Sequence, residues 1–255
     1  MNHHASVSPP PPPGWGRSLA WLVTVYLGSV ITYTLIMFFI ARAAGSREAM
    51  AHTPGWAYFL TNAAATTAGL GIFALVKWWY HKGLWQVLKA EWGPWFRWPS
   101  GLTGLAVAVM LLVALGSDWY LLEYQRAVAS VTVTTLSGAD AAARLLAVLL
   151  RTLLVTLLVY GSLVRSLQDR SGLSMLGIMA AMILVAFGLR YGAEVWHQCS
   201  DPSQAALALR FVAVRLLGWL LTGLGAAVAY KETASLGSAA FMVLAYQLAD
   251  ILQRL

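Results

Sequence analysis

Stretches of about twenty mainly apolar residues recur along the chain, at roughly 18–42, 57–79, 101–122, 142–165, 173–193, 206–229 and 234–253. About 20 such residues let a helix cross a bilayer. The pattern reads as an all-α, polytopic transmembrane helix bundle of about seven spans. An eighth, or a re-entrant segment around 126–140, is the alternative. Composition agrees: the chain is 59% hydrophobic and 11% charged, whereas soluble domains carry about 25% charged residues. One membrane domain, 17–255, accounts for the length.

Residues 1–16 precede that domain and contain five consecutive prolines. Such a run favours polyproline II over helix. It reads as a disordered tail, with a docking peptide as the alternative. Arg17 before the first apolar stretch and Ala41–Ala43 after it mimic a signal peptide. The stretch is longer than a usual signal core, so retention is expected. Cys199 is the only cysteine, so no internal disulfide can form.

The formal net charge of +7 reports basic loops on one side of a membrane rather than a nucleic-acid partner. Arg17, Lys77, Lys82, Lys89, Arg97, Arg165, Arg170 and Lys231 fall on the side that holds the N-terminus. The opposite connections hold Arg42, Arg47, Arg126 and Arg254. This asymmetry predicts a cytoplasmic N-terminus.

Between Lys77 and Gly101, Trp78, Trp79, Trp85, Trp92, Trp95 and Trp98 interleave with Lys77, Lys82, Lys89 and Arg97. Tryptophan settles at headgroup level and lysine faces anionic cytoplasmic lipid. The segment 80–99 therefore reads as an interfacial connector, with a short helix over 83–92 ended by Gly93-Pro94. Pigment or ligand binding by these rings is the alternative.

Ionisable residues inside spans are costly and usually face protein or a water-filled cavity. Arg151 and Arg215 lie near the middle of their spans, so both are expected to face the bundle interior. Arg144 and Arg210 lie nearer the outer face, and so do Arg190, Glu194 and Asp250. They read either as intramembrane ion pairs, such as Arg190 or Arg215 with Asp250, or as a cationic cavity for an anionic, lipid-like group. Small residues at Thr61–Gly71 and Gly223–Ala229 permit close helix approach. That serves internal packing or, alternatively, an interface to another subunit.

The order of elements after residue 83 resembles the CPBP intramembrane proteases, also called the CAAX-protease or bacteriocin-processing family. "VTLLVYGSLVRSLQDRSGLS" is similar to that family's "EExxxRG" helix and the basic turn after it. "LGIMAAMILVAFGLRYG" is similar to the helix ending "FxxxH". "LLGWLLTGLGAAVAYKETASLGSAAFMVLAYQLADIL" is similar to the last two helices, which carry "GSLWxPIxxHxxxN". The likeness covers about 170 residues and implies a CPBP-like core in a bacterial cytoplasmic membrane. The family's charged residues are replaced. Its two glutamates fall on Val155 and Thr156, and its arginine on Tyr160. One histidine falls near Arg190 or Tyr191, the other on Tyr246, and the asparagine on Asp250.

Peptide hydrolysis in a membrane needs a carboxylate or a metal to activate water. The chain has five histidines, and only His197 lies near the end of an apolar span. Neither "HExxH" nor "GxSxG" occurs. Glu194 and His197, at i and i+3, share a helix face. They are weak metal candidates, better read as an ordinary polar helix end. No metal or cofactor is expected. The expected function is non-catalytic: a pseudoprotease acting as accessory subunit or assembly and stabilising factor for another integral membrane protein. One alternative binds or acts on an anionic lipid-like ligand in the arginine-lined cavity. Another is a divergent protease using Glu194, His197 and Asp250.

Overall fold

A computed structural model describes residues 14–44, 55–80, 96–128, 137–167, 169–199 and 202–252. The tail at 1–13, the expected interfacial helix at 83–92 and most of the suspected re-entrant segment lie outside them. The described residues form seven α-helices and no strand. They are α1 (Trp15–Ala44), α2 (Gly55–Tyr80), α3 (Gly101–Val128), α4 (Gly138–Val155), α5 (Gly172–Cys199), α6 (Pro202–Thr233) and α7 (Leu236–Leu252). A π-helical stretch, Thr156–Val164, continues α4.

Six of these elements are long and apolar enough to cross a membrane, which makes the chain an integral membrane protein. The shorter apolar helix is Leu236–Ala249, within α7. The 17 residues of α7 rise about 25 Å, somewhat less than a hydrocarbon core of about 30 Å.

Local chemistry sets several helix ends. Ser137 caps α4: its Oγ accepts from the Asp140 amide at 3.1 Å and donates to Asp140 Oδ2 at 2.7 Å. The carboxylate so held sits in the first turn, where helix polarity favours it. Gly101 opens α3 at φ +54°, a conformation that a side chain disfavours. Between α6 and α7, Ala234 takes φ +50° and its amide bonds Tyr230 O at 2.8 Å. Ser238, fully buried, then clasps the chain before α3: its Oγ donates to Arg97 O and accepts from the Arg97 amide.

α1 packs on α2 and on the π stretch. α2 packs on α4, and α3 on α6 and α7. α6 also packs on α5 and α7, and α7 reaches back to α4 and the π stretch. The core gathers around that stretch, with Leu163, Val164, Leu236 and Met242 at most 2% exposed. Lys77 departs from its reading as a loop charge. It is fully buried, with Nζ 5.4 Å from the Trp21 ring centroid and 5.5 Å from that of Phe73. Such cation–π contacts help an ammonium group tolerate leaving water.

Candidate intramembrane polar site

The positions where the resemblance puts glutamates and an arginine lie at the junction of α4 and the π stretch. Thr156 and Tyr160 are 1% and 3% exposed, and Val155 is half-buried. Leu157, Leu158, Gly161 and Ser162 around them are buried as well. The hydroxyls of Tyr160 and Ser162 are turned to structure, whereas Thr156 Oγ1 is buried without a hydrogen-bond partner among the described residues. Tyr160 donates to Gly223 O on α6 at 3.4 Å. Ser162 Oγ donates to Leu157 O, five residues back, at 3.3 Å. Ser18 on α1 donates to Ser162 O at 3.3 Å. A β-carbon on Gly161 would already touch Leu236 on α7, at 3.5 Å. The segment is largely buried and carries no carboxylate, histidine or lysine.

A second polar locus joins four helices. Asp118 on α3 is 5% exposed, and its Oδ1 accepts from the Tyr246 hydroxyl on α7 at 3.3 Å. Arg215 on α6 and Tyr191 on α5 lie within electrostatic reach of the same hydroxyl. The Arg215 guanidinium is 5.7 Å from the ring centroids of Tyr191 and Phe211. Tyr191 also tilts against Phe187 at 4.8 Å and stands edge-on to Trp219 at 5.8 Å. Gly218, one turn along α6 from Arg215, leaves the space that Tyr246 fills: a β-carbon there would meet its hydroxyl at 2.5 Å. Tyr246 and Tyr191 thus lie at one place, beside a carboxylate and a guanidinium.

Arg215 is half-buried in this locus, as expected of an inward-facing charge. Arg151 differs from expectation, because it is exposed. It is the middle residue of the span Gly138–Val164. A charge at mid-bilayer costs at least about 2.5–3.5 kcal/mol on insertion scales. Arg144, two turns earlier, is half-buried with its guanidinium 5.4 Å from the Phe59 ring of α2. Arg190, Glu194 and His197 fall on α5 and Asp250 on α7, but their side chains lie outside the described ones, as do Trp85, Trp92 and Trp95. Trp78 and Trp79 are exposed at the end of α2. Trp98 is half-buried and packs edge-on against Phe241 at 5.9 Å. Among the described residues, no three His, Cys, Asp or Glu side chains gather where they could hold a metal ion.

Sequence reasoning missed Asp118. The signal was present, since a carboxylate inside an apolar run is a functional-site candidate by default. Ranking acids by depth drew attention to Asp250 and Glu194 instead. No family model, curated protein or solved structure matches the chain.

Proposed function

We propose that this protein is a non-catalytic, CPBP-like membrane protein that serves as an accessory or stabilising subunit for another integral membrane protein. One observation carries the reading: the phenol of Tyr246, at a position that the resemblance matches to a metal-binding or water-activating histidine, donates a hydrogen bond to the buried carboxylate of Asp118. Tyr246 held on Asp118 is committed to structure, and Thr156 and Tyr160 offer no general base in their packed segment. A helix bundle without that chemistry suits a chain that acts by helix packing.

The anionic-ligand reading is weaker on this geometry. Arg215 and the buried Asp118 both act on the Tyr246 hydroxyl, so the locus holds a carboxylate as well as a cation and is not purely cationic. The divergent-protease reading would use Glu194, His197 and Asp250, and it needs a metal or base at the outer helix ends. In this proposal the N-terminus and the Lys77–Arg97 connector are cytoplasmic, the membrane is a bacterial cytoplasmic membrane, and the connector's tryptophans rest at its interface.

The test is a membrane protease assay on prenylated and unprenylated peptides, with a Glu194→Ala, Asp250→Ala double variant as control. No turnover is expected. Turnover that vanishes in the control would overturn the non-catalytic reading.

A further inference from the structure

We propose that the seam between α4 and α7 holds ordered water, bound by the hydroxyls of Thr152 and Thr156 and the side-chain amide of Gln247. The inference goes beyond the function proposed above and does not depend on it.

The threonines supply the first observation. Inside a helix a threonine hydroxyl can donate to the carbonyl four residues back. Thr24, Thr32 and Thr34 of α1, Thr61, Thr66 and Thr67 of α2, and Thr233 of α6 all do so, at 2.7–2.9 Å. Thr152 and Thr156 do not. They are 5% and 1% exposed, and their hydroxyls have no hydrogen-bond partner among the described residues. An unanswered buried hydroxyl costs a factor of about ten in the folding equilibrium. Two that forgo the local bond inside a closed core point to another partner. Thr222 forgoes it too, but it shares a face of α6 with Gly218, which meets Ser117 of α3. The second observation comes from another helix. Gln247 Oε1 on α7 is enclosed and has no hydrogen-bond partner among the described residues.

Packing sets these groups opposite one another. Thr152 and Thr156, at i and i+4, stack on one face. In the π stretch the bonds run to the fifth residue, so Gly161 sits over Thr156, and an ideal β-carbon there lies 3.7 Å from Thr156 O. The same β-carbon lies 3.5 Å from Leu236, so this is the face that α7 covers. On α7, Val243 and Gln247 fall within about 20° of the bearing of Leu236. α7 begins beside Gly161 and also packs on α4, so it runs back along α4 in the opposite direction. From the Gly161–Leu236 contact, Thr152 lies about 13 Å back along α4 and Gln247 about 16 Å along α7. Side chains on a helix lean toward its start, which brings the Gln247 amide to the depth of Thr152. The two do not bond directly, and a water molecule spans such a separation.

Water fits where other ligands do not. It needs about two to four polar partners. Two hydroxyls and an amide supply them, whichever way the amide is turned. The three oxygen atoms are closed off from solvent, which keeps out a lipid headgroup. None of the three groups carries a charge to offset a metal cation. Hydroxyls and amides take no proton from water at neutral pH, so the bound water is structural rather than a nucleophile.

The experiment uses the full-length protein in mixed micelles titrated with SDS. Valine matches threonine in shape and lacks the hydroxyl. Thr152→Val and Thr156→Val each strip the water of a partner and should raise the unfolding constant about tenfold. Gln247→Leu should act in the same direction. Thr152→Val should cost markedly less in the Gln247→Leu background, because the shared water is already lost. X-ray radiolysis gives the direct readout, since bound water yields hydroxyl radicals that oxidise the side chains beside it. Val243, 7% exposed and one turn from Gln247, should be oxidised in the parent and spared in the Thr152→Val, Gln247→Leu double variant.

Valine variants as stable as the parent, or more stable, would overturn the proposal, because a methyl group in place of an unanswered hydroxyl is the favourable change. Strict additivity of Thr152→Val and Gln247→Leu would overturn it as well, and so would a Val243 that escapes oxidation in the parent or is oxidised equally in the double variant. Greater stability in sodium or potassium chloride than in choline chloride would overturn it in favour of a cation.

Discussion

Gly218→Ala should uncouple Tyr246 from Asp118. An ideal β-carbon at Gly218 lies 2.5 Å from the Tyr246 hydroxyl, 3.1 Å from its Cε2 and 3.1 Å from Ser117 Oγ. The phenol is the far end of a flexible side chain, so it gives way, and its 3.3 Å bond to Asp118 is lost. A hydrogen bond to a charged group contributes about 1.5–3 kcal/mol net. This one is long for an O–H···O bond, so the lower figure of about 1.5 kcal/mol applies. Residual crowding adds about 1 kcal/mol, and the better helix propensity of alanine offsets about 1 kcal/mol. Gly218→Ala should therefore destabilise by about 1.5 kcal/mol, the value of the lost bond. In a Tyr246→Phe background the bond is already absent and the hydroxyl clash is gone, so the same substitution should be near neutral. Equilibrium unfolding of the four proteins in mixed micelles titrated with SDS measures the cycle. The double variant should be less destabilised than the sum of the singles by about 1.5 kcal/mol. Independent sites add to within about 0.5 kcal/mol; additivity of that quality here would refute the link between Gly218 packing and the Asp118 bond.

Gly69→Val should lose about 1–3 kcal/mol in the same assay by overpacking, because its β-carbon would collide with Ser29 Oγ of α1 and press on Leu154 of α4. Gly71→Val, which meets open space, should stay within about 0.5 kcal/mol of the parent; equal losses at both sites would refute the packing of α1 on α2. In a Cys199→Ala background, Ser8→Cys and Gln86→Cys should resist an impermeant maleimide added to intact cells and react after permeabilisation. Labelling of either from outside would reverse the orientation.

Hydropathy made the bundle legible, because the cost of unsatisfied backbone in lipid forces apolar runs into helices. It marked apolar length rather than helix length. α5 was expected to end near 193 and continues to Cys199, through polar residues that a helix tolerates at an interface. Depth was equally legible, and direction was not. Position along a span orders Arg151 and Arg215 down the membrane normal, but which way each points depends on neighbours that the sequence does not name. Arg215 is half-buried over the Tyr191 and Phe211 rings, whereas Arg151 is exposed. Lys77 ends an apolar run, as a loop charge would, yet it is buried against the Trp21 and Phe73 rings. The proximity of Tyr191 and Tyr246 was not legible from composition or spacing, since neither phenol stands out in an apolar, aromatic-rich chain. The π stretch left no trace in "TLLVYGSLV", whose apolar residues suit either helix.

That stretch also bears on how the chain tolerates insertions and deletions. Removing one residue from an ordinary α-helix turns everything beyond it by about 100°, so each buried side chain after the gap swings away from its contacts. Between Thr156 and Val164 the bonds run to the fifth residue rather than the fourth, and the backbone holds a surplus relative to α-helical winding. A one-residue deletion there can be absorbed by rewinding to the α form, leaving Arg144 and Leu154 on one side and Leu167 on the other near their present bearings. The fourth span thus has one place where it can change length without exchanging its inner and outer faces.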